Sequence, residues 1–245
     1  LTFDFLVKNA CQRSLSIIAV SEFAKSEIIR FGFAPEKKIE VIYEGVNPAF
    51  GEPTDHDVSA LLGIPEDTPN ILCVAHTYPH KQVHLLVDAF GKIMDEIPHH
   101  LVLVGKPRRG EQLLQEHLAE LADNRRVTRI SDLRYVELIA FYRNADLFVL
   151  PSVYEGFGLP ILEALLAGTL AITTKSASLS EVGGDKVIYF DMGSAESLSQ
   201  KIKEAFQLEP KVRLDMIENG KQWAAGFSWK KSAAQTSAIL HSELS

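Results

Sequence analysis

With 245 residues, 46% of them hydrophobic, and a formal net charge of −7, the chain is long enough for one large domain, or for one domain and part of another. The acidic balance argues against general binding to a nucleic-acid backbone, and no apolar run is long enough to span a bilayer. The two cysteines, Cys11 and Cys73, have neither metal-ligand nor redox spacing and read as inert, buried thiols of a reducing compartment.

Residues 1–50 read as the tail of something larger, and the opening at Leu1, with no signal peptide visible, fits a fragment or processed product. A short apolar strand at 15–20 leads to Ser21, a capping residue for a helix over 22–30 that Gly32 stops. A second strand follows at 39–43, and Gly45 turns the chain. The stretch from Pro48 to Pro69 is rich in Pro, Gly and Asp; its first part reads as an interdomain linker, and a small apolar helix is expected near Val58–Leu62. From Asn70 onward strands and helices alternate with little spare sequence. Strands are predicted at 71–75, 101–105, 127–130, 146–150, 170–173 and 187–190. Helices are predicted at 83–97, 111–122, 135–144, 160–167, 195–207, 210–225 and 229–243. The strands at 101–104 and 146–150 are apolar on consecutive positions, as strands covered on both faces must be. Repeated β–α units with right-handed crossovers make an α/β fold with a doubly wound parallel sheet.

In such a sheet ligands bind beyond the carboxyl ends of the strands. Three loops leave those ends with chemistry: Thr77–Lys81, Lys106–Gly110 and Glu155–Leu159. Gly156 and Gly158 let backbone approach a ligand, and the N–H groups of Phe157, Gly158 and Leu159 either cradle an anion at the start of the helix opening at Pro160 or form an ordinary strand-to-helix turn. Glu163, read as lying in the first helical turn, either complements the helix dipole or accepts from the vicinal hydroxyls of a ribose. Glu155 is either a solvated loop charge or a carboxylate facing the reacting group. Lys81 is read as opening a helix, where a cation opposes the dipole; a phosphate would favour it there, and a surface lysine is the plain alternative. His80 donates to the same phosphate or merely packs. Arg108 and Arg109 assist or are solvated, and Asp132 touches a base or nothing. Asp55-His56-Asp57 resembles a paired-aspartate metal motif but sits in a polar linker and is taken as a chance match. No Ser-His-Asp triad, zinc site or Walker loop is visible.

The run from Ser152 to Ala164, with Glu155 and Glu163 spaced by seven residues, resembles the Glu-seven-Glu signature of family 4 retaining glycosyltransferases. Val20–Phe23, Ile42–Val46, Tyr78–Lys81, Tyr142–Asp146, Glu181–Asp185 and Phe227–Trp229 resemble further motifs of that family in the same order. The resemblance implies the two-Rossmann-domain (GT-B) architecture, with 1–50 a remnant of the N-terminal acceptor domain and linker. Residues 51–226 would be the C-terminal nucleotide-sugar-binding domain, and 227–245 a helix returning toward the first.

It further implies that Lys81 holds the donor diphosphate as the leaving group's charge grows and that Glu155 lies against the donor sugar. Glu163 would bind the ribose, with Gly156, Phe157, Gly158, Leu159, His80, Arg108 and Asp132 completing the donor site. No metal or other cofactor is implied, since catalysis rests on electrostatic stabilisation of the departing nucleotide diphosphate. The implied donor is GDP-mannose or a UDP-sugar, and the acceptor a saccharide or lipid-linked sugar. The implied location is cytoplasmic, at the inner face of the membrane through peripheral association. An arginine that many members carry before the lysine is absent, His76 and His80 standing there instead. The rival readings are a non-catalytic nucleotide-sugar-binding module, a split-enzyme subunit, or a GT-B enzyme of other chemistry. Because most of the implied N-terminal domain is missing, the chain alone is expected to bind donor and turn over poorly.

Overall fold

The computed structural model describes residues 2–54, 58, 62, 63, 65 and 68–244. Asp55-His56-Asp57 lies outside the described residues, as does most of the helix expected near Val58–Leu62.

Six strands form one fully parallel sheet: β3 (Asn70–Val74), β4 (His100–Val104), β5 (Val127–Ile130), β6 (Leu147–Leu150), β7 (Ala171–Thr174) and β8 (Ile188–Phe190), in spatial order β5-β4-β3-β6-β7-β8. The chain builds outward from β3 in one direction, then returns to β3's other side at β6 and builds the opposite way. That reversal is the topological switch point at which doubly wound sheets bind ligands.

The strands are buried on both faces, and alternate side chains divide between two cores. Leu72, Val102, Phe148 and Leu150 face one side, where α5 (Tyr135–Asn144) and α6 (Leu159–Ala167) supply Phe141, Tyr142, Ile161 and Leu162. Ile71, Cys73, Leu101, Leu103 and Val149 face the other, covered by α3 (Val83–Ile93), α4 (Glu111–Ala119) and α8 (Ala195–Phe206). A further short helix, α7 (Leu179–Gly183), follows β7, and α9 (Pro210–Ala225) packs on α6.

The N-terminal residues form a smaller unit. Helix α1 (Thr2–Arg13) precedes a two-stranded parallel pair, β1 (Ile17–Ala19) and β2 (Ile39–Val41), with α2 (Glu22–Arg30) between them. Ser21 caps α2 as expected, its side chain accepting from Ala24 N at 2.9 Å. The segment after Pro48 is pinned: Phe50 is fully buried, packs edge-on against Tyr142, and its carbonyl accepts from Arg143. The terminal helix α10 (Trp229–Leu244) lies on this unit, with Val46 N donating to Phe227 O at 3.0 Å and Ser232 Oγ to Tyr43 O at 2.5 Å. Gly45 permits that approach, since a Cβ there would stand 2.1 Å from Trp229 N.

One expectation needs correction, and two helices were not foreseen. Cys11 is half-exposed rather than buried, because α1 has only the small β1–β2 unit to pack on. Cys73 is buried, and burial pushes its thiol up to about 12. Neither α1 nor α7 was anticipated; α1 keeps Phe5 and Leu6 exposed, so it lacks the buried stripe that makes a helix legible.

Candidate functional site

The loops after β3 and β6 flank the switch point, and the fold brings Lys81 and Glu155 together there. Lys81 Nζ donates to both carboxylate oxygens of Glu155, at 2.5 and 2.6 Å, and both side chains are largely buried. Lys81 does not open a helix. It ends a 3-10 turn over Pro79–Lys81, and α3 starts two residues later after Gln82, which adopts a left-handed φ of 46°. The partner that holds this cation is therefore Glu155.

Hydroxyl groups at the carboxyl ends of β6 and β7 tie these loops down. Ser152 Oγ donates to the carbonyls of His80 and Tyr154, and Val153 N also donates to His80 O at 2.9 Å. Thr174 Oγ1 donates to Ser152 O at 2.6 Å. The buried Ser178 places its hydroxyl 2.9 Å from Glu155 O and 2.7 Å from Phe157 O. Ser21, from the N-terminal unit, donates to Gly156 O at 2.7 Å. Gly158 caps α6 with φ 114°, a conformation that favours glycine, and Gly168 ends that helix at φ 84°. The Phe157 side chain turns inward, where Tyr43 and Phe227 pack on it at 5.9 and 6.0 Å.

The loops after β3 and β4 are laced through Thr77. Its carbonyl accepts from Gly110 N at 2.6 Å, and its hydroxyl accepts from Arg108 N and donates to Glu111. This brings the Arg108 guanidinium over Tyr78, whose ring in turn stacks with His80. The side chain of His80 is exposed; partial burial, and then the charge of Lys81, hold its imidazole below the usual range. Burial also lowers His76, with the charges of Arg108, Lys106 and Lys81 adding repulsion. Asp132 stands on the exposed rim, 3.9 Å from Lys106 Nζ.

Glu163 sits in the second turn of α6, not the first, since the helix begins at Leu159. Dipole complementation in the first turn therefore does not account for it. Burial raises its pKa above the ordinary 4.5, and the neighbouring Tyr142 phenol offsets part of that rise. Among the described residues the buried Tyr142 hydroxyl has no aligned hydrogen-bond partner, so it acts on Glu163 through its dipole at a geometry short of a proper bond. Tyr135, whose hydroxyl accepts from Asn47 at 2.9 Å, also feels the Glu163 charge. A desolvated carboxylate beside phenols can accept hydrogen bonds from any hydroxyl that reaches it. Among the described residues no group of three or more His, Cys, Asp or Glu is set to hold a metal ion.

Sequence reasoning missed the hydroxyl network and the Glu181 carboxylate. Glu181 accepts from Glu22 N at 2.8 Å and Phe23 N at 2.7 Å, and so grips the start of α2 from α7. A serine three residues before an acid at a helix start was the available signal, but the partners of Glu181 lie 159 and 158 residues away in sequence.

The family model for glycosyl transferases group 1 matches residues 56–223, more than half of the chain. The chain belongs to that family. It is 30% identical over 176 residues to an uncharacterised glycosyltransferase of Methanocaldococcus jannaschii, covering 69% of this chain and 44% of that protein. It is 27% identical over 206 residues to the O-antigen chain mannosyltransferase RfbU of Salmonella typhimurium, covering 84% of this chain and 55% of the relative. The chain thus spans about half the length of the curated relatives it matches. The fold matches Anabaena HepE, solved with UDP and glucose, at a TM-score of 0.86 and 22% identity, over 97% of this chain and 66% of that one. This group 1 chain is therefore a GT-B-type α/β unit. No helix among the described residues is long and apolar enough to cross a membrane.

Proposed function

We propose that the chain is the donor-binding portion of a retaining glycosyltransferase, moving a hexose from a nucleotide diphosphate sugar to a saccharide or lipid-linked acceptor. The observation that carries this reading is the Lys81–Glu155 pair at the switch point, with the glycine loop beside it. A donor diphosphate would take Lys81 from Glu155, leaving that carboxylate against the sugar. Glu163 would accept from the ribose hydroxyls, and the amides at the head of α6 would share the charge that grows on the leaving diphosphate. Mannose from GDP-mannose is favoured by relatives named as mannosyltransferases; a UDP-sugar is favoured by the likeness in fold to HepE solved with UDP-glucose. We assign leaving-group stabilisation to these groups without a metal, so donor affinity in EDTA should equal that in magnesium.

Calorimetric titration with GDP-mannose, UDP-glucose and ADP-glucose tests the reading. Glu163→Ala is expected to weaken the preferred nucleotide by about 1.5–3 kcal/mol, the range for hydrogen bonds to a charged group. The 2′,3′-dideoxy analogue should lose little, and equal losses for both ligands would remove Glu163 from the ribose site. The second reading, a module that binds donor and does not transfer it alone, is favoured by the chain's spanning about half of its relatives. Normal transfer by this chain to an added acceptor would overturn that reading.

A further inference from the structure

Three consecutive carbonyls of the glycine loop are held by two buried hydroxyls. Ser178 Oγ lies 2.9 Å from Glu155 O and 2.7 Å from Phe157 O, its single proton shared between them. Ser21 Oγ donates to Gly156 O at 2.7 Å while accepting from Ala24 N at 2.9 Å. Both serines are fully buried. No peptide bond in the described chain is cis, so each amide N–H points opposite the carbonyl of the residue before it. Holding the carbonyls of 155, 156 and 157 therefore fixes the N–H groups of Gly156, Phe157 and Gly158, each aimed away from its serine. Those three amides meet no protein acceptor among the described residues. A Cβ built on Gly156 would meet nothing within 4 Å, so there is open space beside the loop. A peptide whose carbonyl already accepts a hydrogen bond is polarised, and its N–H becomes a stronger donor.

We propose that Ser21 and Ser178 are positioning residues that aim and polarise the loop amides toward an organic diphosphate. The inference rests on the donor-binding reading above and adds to it the two side chains that set the cradle's geometry. It also makes the cradle a joint product of both units, because Ser21 belongs to the N-terminal one. Glu181 holds Ser21 in place by gripping Glu22 N and Phe23 N, and it lies one helical turn from Ser178. One short helix thus secures the loop directly through Ser178 and indirectly through Ser21.

The test is calorimetry on the 245-residue chain, with GDP and UDP set against guanosine and uridine. Ser178→Ala and Ser21→Ala should each weaken the bound diphosphate about tenfold, the scale of one charge-assisted hydrogen bond, and leave the nucleoside within about twofold. Ser178→Thr, which keeps the hydroxyl, should restore most of the loss. A merely structural role would weaken nucleoside and diphosphate together. As a second measurement, the 15N-amide resonances of Gly156 and Gly158 should move with added pyrophosphate in the parent and move less in Ser178→Ala. If the parent binds diphosphate and the alanine variants keep the same diphosphate-to-nucleoside ratio, the inference is overturned while the donor site stands. If the parent binds neither GDP nor UDP, the donor-binding reading fails and takes this one with it.

Discussion

Lys81 and Glu155 neutralise one another across the switch point, and that pairing decides what a substitution at either will do. Removing one partner of a largely buried pair strands the other charge, at a cost of about 3–5 kcal/mol. Glu155→Gln should therefore lower the melting temperature, and pyrophosphate should raise it again by more than it raises the parent's, because the anion takes the vacated place. An equal shift in both proteins would mean that Lys81 is not at the anion site. Glu163 behaves in the opposite sense. Its folded pKa is raised above 4.5, chiefly by burial. Below 4.5 the group is protonated in both states and costs nothing. Above 4.5 the unfolded chain ionises first, so the native state binds more protons and stability falls as pH rises through the folded value. Glu163→Gln is accordingly expected to stabilise the chain at pH 7, with the gain vanishing below about pH 4.5, while nucleotide binding weakens. Denaturant melts at pH 4 and 7 check the first half and calorimetry the second. Stability surrendered for binding is the mark of a group kept for its ligand.

Elements are joined here by backbone contact as much as by side chains. Gly45→Ala would drive a methyl into the backbone of Trp229, so α10 must lift from the N-terminal unit. The expected loss is roughly 3 kcal/mol, at the upper end of the overpacking range, read by chemical denaturation, with increased hydrogen exchange at Val46 N as the local signature. The strands at 71–74, 101–104 and 147–150 were legible in the sequence because their apolar runs are continuous, and helix ends were marked by the capping side chain of Ser21 and by the backbone preferences of Pro160 and Gly168. What stayed hidden is what depends on strand order in space. Lys81 and Glu155 meet only because β3 and β6 are neighbours, a pairing that chain order does not state. The hydroxyls of Ser152, Thr174 and Ser178 look like ordinary small polar residues until carbonyls from other loops arrive above them. The starting residue of α6 moved Glu163 out of the first turn and with it the dipole explanation.

At the scale of the molecule, imidazoles buried in neutral form make the fold sensitive to acid. His84, His99 and His100 all have pKa values lowered from 6.5, first by burial. Because the unfolded chain takes up protons at a higher pH than the native one, their contribution is complete above 6.5 and is lost as pH falls through the folded values. The unfolding free energy should decline from pH 7 to pH 5. His99→Phe should flatten that decline, since this ring stacks on Phe206 at 3.7 Å and its Nδ1 has no partner among the described residues. A variant as acid-sensitive as the parent would place the lability elsewhere. The two thiols differ as sharply as the histidines agree: Cys73 is sealed in the sheet with its proton held to about pH 12, while Cys11 is reachable on α1. A maleimide dye will therefore label a single position without any mutagenesis. That position rides on the small unit which supplies Ser21, so its fluorescence anisotropy can follow how that unit sits as nucleotide is added.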